Sequence, residues 1–129
     1  VAKYIKLDII KMDFEIIFYK DNKGNSPIEE FLDELEGINS FLYDQTLKGF
    51  EKLKNRAYHK EPLSKYLEPG LWELRIRSGN NILRVIYTFK KGRVIILLHI
   101  FVKKQQKTPV GDLKIARKRL EQINSKEAN

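Results

Sequence analysis

Two periods run through the apolar positions of this chain. Ile28, Phe31, Leu32 and Leu35 recur at helical spacing, as do Tyr43, Leu47, Phe50, Leu53 and Ala57. From Leu71 to Phe89 the period changes to two. Trp72, Leu74 and Ile76 alternate with Glu73, Arg75 and Arg77, and Leu83, Val85, Tyr87 and Phe89 then share one face with Arg84 on the other. The first pattern predicts helices, the second strands. Ser26-Pro27-Ile28-Glu29 marks a helix start, with Ser26 as N-cap, Pro27 in the first helical position and Glu29 closing a capping box. Gly37 is the expected stop. The second helix is expected from about Asn39 to Tyr58, in an antiparallel hairpin with the first.

The remaining segments complete the order. Phe14 to Lys20 (FEIIFYK) is aromatic and β-branched and reads as a first strand, followed by a polar turn at residues 21–25. His59 to Gly70, with Pro62 and Pro69, reads as a long connection. Ser78-Gly79-Asn80-Asn81 is a hairpin turn, and Lys91-Gly92 turns into Arg93 to Val102, a nearly all-apolar run expected at the centre of the sheet. After a polar loop, Lys103 to Lys107, Thr108-Pro109 opens a last helix with Leu113, Ala116, Leu120 and Ile123 on its apolar side. This order predicts an α+β fold: a mainly antiparallel sheet with the helix hairpin and the C-terminal helix packed on one face. The opposite face would then carry Arg75, Arg77 and Arg84 together. Met12 is the only methionine, which suggests an N-terminal extension over residues 1–11 and a single domain over 12–129.

Charge sharpens this picture. Residues 70–129 hold 14 Lys and Arg against 4 Asp and Glu, whereas residues 1–69 hold 11 against 13. The formal charge of +8 therefore belongs to the C-terminal half, and basic strands point to a polyanion, nucleic acid first. The absence of cysteine removes disulfides and Cys-based zinc sites, and two histidines, His59 and His99, leave little from which to build a metal centre. No apolar run reaches the ~18 residues of a membrane span, and residues 1–11 lack the pattern of a secretory signal. A cytoplasmic protein with no cofactor and no membrane partner is expected.

Four stretches, MDFEIIFYKD, SPIEEFLDEL, LWELRIRSGNNILRVIY and LLHIFVKKQQKTP, resemble the RelE/ParE superfamily of bacterial toxins, in particular its HigB-like, phage-related branch. They lie in the family's order and span residues 12–123 together with the last helix. The resemblance implies a RelE-like fold and a toxin neutralised by a helix-turn-helix, HigA-like antitoxin. Operator DNA would be met only through that complex. The toxin would enter the ribosomal A site and cut mRNA without metal, the 2′-hydroxyl attacking the adjacent phosphate to leave a 2′,3′-cyclic phosphate and a 5′-hydroxyl. Two other readings stand beside it: inhibition of DNA gyrase, as in the ParE branch, and a nucleic-acid-binding module without catalysis.

Such a reaction needs a proton acceptor for the 2′-hydroxyl, cations around the phosphorane and an acid for the leaving oxygen. Arginine suits the phosphate because its planar fork donates two parallel hydrogen bonds. Arg84 stands where related toxins carry a phosphate-contacting arginine; alternatively it is a solvated strand charge or a partner of Glu73 across the hairpin. Arg75 and Arg77 match the basic pair of the preceding strand, or form the polar side of an amphipathic one. Of Lys103 and Lys104, one is expected to face the site, and strand parity groups Lys103 with His99. His99 is either the general base, with an unperturbed pKa of ~6.5, or a core imidazole bonded to backbone. Lys107, Lys114, Arg117 and Lys118 read as ribosomal RNA contacts or as a solvated helix face. The catalytic tyrosine that some relatives carry in the last helix has no counterpart here.

Overall fold

The computed structural model describes residues 13–103 and 107–128. In chain order the elements are β1 (Glu15–Phe18), α1 (Pro27–Ile38), α2 (Ser40–Leu53), a 3-10 turn (Arg56–Tyr58), β2 (Ser64–Glu68), β3 (Leu71–Ser78), β4 (Asn81–Lys90), β5 (Val94–Lys103) and α3 (Val110–Ala128). They form an α+β architecture around a mixed five-stranded sheet ordered β1-β5-β4-β3-β2. β1 runs parallel to β5, and the other three pairings are antiparallel. Among the described residues no helix is long and apolar enough to cross a membrane.

Turn chemistry sets the register. Ser78 pairs with Asn81 across the two-residue loop Gly79-Asn80, with Gly79 at φ +59°, a conformation that glycine adopts without steric cost. The next turn places Gly92 and Arg93 at positive φ before β5 begins at Val94, one residue later than the sequence pattern suggests. β5 lies inside the sheet between β1 and β4, as its apolar run requires, with β4 in the middle. Leu98 is an extra residue on β5, because Ile86 pairs with His99 and Tyr87 with Leu97.

The helix hairpin forms where its caps predict. The Ser26 hydroxyl accepts from the Glu29 amide, and Asn39 alone connects the two helices. The Asn39 amide donates to the Leu35 carbonyl while its side chain accepts from the Leu42 amide. Gly37 thus lies inside α1 rather than ending it. α2 ends at Leu53, short of Tyr58, where the 3-10 turn takes over with Asn55 as its cap. The stretch expected as a connection contains a strand: β2 pairs with β3 from Ser64↔Leu74 to Glu68↔Leu71. Strand β1 precedes the hairpin, so the helices do not form an N-terminal unit.

One expectation is overturned. α1 and α2 pack on one face, where Ile28, Leu32, Leu35, Leu42, Phe50 and Leu53 meet Leu74, Ile76, Leu83, Val85, Tyr87 and Leu97. α3 covers the opposite face, where Ala116, Leu113, Leu120 and Ile123 pack against Leu71, Ile86, Leu98 and Tyr19. The physical reason is in β4 and β5. Every residue of β4 from Ile82 to Thr88 is buried, and strands apolar on both sides need cover on both sides. The arginine face is therefore roofed, not open.

Candidate active site

The hairpin register and the β4–β5 pairing lay out three cross-strand rows on the face under α3. Glu73, Ile86 and His99 form one, Arg75, Arg84 and Phe101 the next, and Arg77, Ile82 and Lys103 the third. Directly paired positions in such rows stand about 5 Å apart at Cβ, so the side chains interact. The grid contains four cations and one carboxylate, that of Glu73.

Arg75 and Arg84 face each other as like charges, which is unfavourable without a counter-ion. Glu73 supplies it. Its Oε1 accepts from Arg75 Nε at 2.7 Å, and its Oε2 lies 3.9 Å from Arg84 Nη1. The same Oε2 accepts the Thr108 hydroxyl proton at 2.7 Å, tying the approach to α3 onto the sheet. Thr108 does not cap α3 as the sequence pattern suggests, because the helix begins only after Pro109. Both Glu73 and Arg84 have 0% exposure. Arg84 is thus no solvated strand charge; its Nε, Nη1 and Nη2 are buried and make no hydrogen bond among the described residues. Burial pulls its pKa below the ordinary guanidinium value, Glu73 opposes that, and Arg75 and Arg77 add to it.

His99 stands at the other end of the row that holds Glu73 and is engaged at both ring nitrogens. Nε2 lies 2.7 Å from Asp112 Oδ1 on α3, and Arg119 Nη1 approaches Nδ1 at 3.4 Å while donating to the Leu98 carbonyl at 2.7 Å. The ring stacks on Phe101. Burial lowers the His99 pKa and Asp112 counteracts it. The partners of this imidazole are side chains of α3 rather than backbone.

Arg77 and Lys103 are exposed at the open end of the grid, on the same face as Arg84. Lys104 lies outside the described residues. Lys107, Lys114 and Lys118 are solvent-exposed. Arg117 instead holds Glu68 of β2 through two hydrogen bonds, 2.8 and 2.6 Å. The structure therefore brings Arg75, Arg77, Arg84, Lys103 and His99 onto one face and leaves the lysines of α3 outside it.

The sequence model of the phage-derived Gp49-like proteins (DUF891) matches residues 31–121, a stretch that runs from α1 into α3 and contains the whole grid. The chain belongs to this family. Gp49-like proteins are associated with RelE-type, toxin-like proteins, which fits the resemblance drawn from the sequence at that level. No curated protein matches the chain.

Two groups of this Gp49-like site leave no mark in the sequence, and a third is legible only in part. Glu73 reads in the sequence only as a neutralising partner of Arg84, although its spacing of two from Arg75 places it among the arginines. Asp112 and Arg119 carried no signal, because their roles depend on which face α3 covers.

Proposed function

We propose that this Gp49-like protein is a HigB-like toxin that cuts mRNA in the ribosomal A site by metal-free transesterification and is held in check by a helix-turn-helix antitoxin. The observation that carries the reading is the Arg84 guanidinium: fully buried, without a hydrogen-bond acceptor among the described residues, and paired across the hairpin with Arg75. A buried donor left without an acceptor costs free energy, and a phosphate oxyanion is the group that best satisfies a guanidinium. In this reading the phosphate enters from the open end of the grid, past Arg77 and Lys103. Arg75 and Arg84 stabilise the phosphorane as the 2′-oxygen bonds to phosphorus and the bond to the 5′-oxygen breaks. His99 and Glu73 are the two proton acceptors that share the face. Lys103 stands at its rim as a donor toward the leaving oxygen, and Lys107, Lys114 and Lys118 meet ribosomal RNA.

The complete burial of Arg84 favours a second reading. There Arg84 and Glu73 tie β4 to β3 as a buried charge cluster, and the exposed cations bind nucleic acid without cutting it. Mapping 5′ ends of an mRNA incubated with purified protein, with and without translating ribosomes, separates the two. The nuclease predicts cuts only with ribosomes, cyclic phosphate at the upstream end, and a loss of about 100–1,000-fold in Arg84→Lys, which keeps the charge but not the fork. RNA binding without cuts would support the second reading. DNA-damage signalling on expression with intact mRNA would point to gyrase.

A further inference from the structure

β2 leaves the far end of β3 uncovered. Their last tie is the Arg75 amide donating to the Leu63 carbonyl at 2.8 Å, and Ile76 to Ser78 pair only with β4 among the described residues. The end of α2 and residues 57–63 border this gap without filling it. A cleft of about 420 Å3 results, within the ~300–1,000 Å3 range of small-molecule sites. Lys52, Lys60, Arg75 and Arg77 line it, with Leu63 and Tyr58 as apolar wall. Glu61 is its one acid.

Two features identify an occupant. Four cations against one carboxylate select an anionic ligand over an apolar one. Tyr58 is 39% exposed and belongs to neither core cluster, its ring lying 5.9 Å from Lys52 Nζ. An aromatic ring kept at the surface among cations is the arrangement on which single-stranded nucleic acids stack their bases. Arg75 is the shared wall: its Nε bonds Glu73 inside the grid, and its side chain also borders the cleft. A strand with a phosphate at the grid would lead its neighbouring nucleoside over the β3 edge into this space.

We infer that the cleft holds one nucleoside of single-stranded RNA beside the scissile phosphate, its base stacked on Tyr58 and its flanking phosphate among Lys52, Lys60 and Arg77. The inference rests on the RNA-cleaving reading and names the substrate contact that would set the preference around the cut. Glu61 offers an acceptor for an exocyclic amine on that base.

The test is cleavage of a translated mRNA by the wild-type chain, Tyr58→Phe, Tyr58→Leu and Arg84→Lys, with far-UV circular dichroism confirming that each variant is folded. Tyr58→Phe should cut at close to the wild-type rate, and Tyr58→Leu should lose about 5- to 100-fold, the range of one base–aromatic stack. Templates with one abasic nucleotide on either side of the cut keep the idea testable without altering the protein. One of the two positions should slow the wild type by a similar factor and erase its advantage over Tyr58→Leu. If the wild type cuts, Arg84→Lys does not, and Tyr58→Leu and both abasic templates behave normally, the cleft assignment is wrong and the nuclease reading stands. If the wild type does not cut at all, both fall together.

Discussion

The two faces of the sheet are built on different principles. Under α1 and α2, Leu74, Ile76, Leu83, Val85 and Tyr87 meet helix leucines and phenylalanines, and polar ties are sparse: the Tyr87 hydroxyl donates to Ser64 and the Thr46 hydroxyl to the Leu42 carbonyl. Under α3 the apolar contact shrinks to a strip around Ile86, Leu98 and Ala116, and charges fill the remainder: Glu73 with Arg75 and Arg84, His99 with Asp112, Arg119 on the Leu98 carbonyl. Close packing stabilises in proportion to the apolar area removed from water. Buried ions stabilise little net, but lose much when one partner goes. One face therefore holds the fold together and the other holds a constellation in place.

Substitutions can break that comparison. Glu73→Ala should be the most damaging, at about 3–5 kcal/mol, because it leaves Arg84 buried with no counter-charge beside it. Leu83→Ala on the other face should cost about 2–5 kcal/mol through lost burial and a cavity. Urea denaturation of both variants measures the pair. The double variant Glu73→Met, Arg84→Met sharpens the contrast: stability should return to within about 1–2 kcal/mol of wild type, while on the proposed nuclease reading no mRNA cleavage should return with it. A double variant as unstable as Glu73→Ala would show that the cluster organises the fold as well as the site.

Mild acid should act first through the histidines, whose ordinary pKa is the nearest to neutrality. His99 is held below its ordinary value near 6.5 by burial, against the pull of Asp112, and His59 by burial against its hydrogen bond to the Leu53 carbonyl. A group that binds its proton less readily when folded leaves stability whole above a pH of about 6.5. Stability is then lost as the pH falls from there through the folded-state value. Thermal midpoints should therefore decline below pH ~6.5, and His99→Gln should flatten the decline. A midpoint independent of pH in that window would refute the shift. The smallest effect is expected at Arg117→Ala. Its pair with Glu68 is solvent-exposed, and such pairs contribute little. Melting curves in low and high salt should barely separate it from wild type.

What could be read in advance divides along the same line. Ser26 and Pro27 announced α1, and alternation through Trp72, Leu74 and Ile76 placed Arg75 and Arg77 on the far face. Alternation leaves open which of the two stands opposite Arg84, and the register at the Gly79 turn puts Arg75 there. All of these follow from local chemistry. β2 escaped because SKYLE is short, mostly exposed and bounded by Pro62 and Pro69, so it shows no alternation and owes its form to β3. The side taken by α3 escaped because a single apolar stripe does not name its face, although the unbroken run in β5 already demanded a second cover. The pairs Asp112–His99 and Thr108–Glu73 depend on that docking and could not be read before it.

The parallel pairing of β1 with β5 has a consequence in time. Glu15 lies opposite Val94 and Phe18 opposite Leu97, so roughly 80 residues separate the partners. β3, β4 and β5 need only short turns to find one another, and local pairings form fastest. β1 has no such neighbour. On a ribosome it is the first of these strands to be made, yet β5 must emerge before it has anything to bond, a wait of several seconds at ~5–20 residues per second. For most of its own synthesis, Glu15–Phe18 is a strand waiting for its sheet.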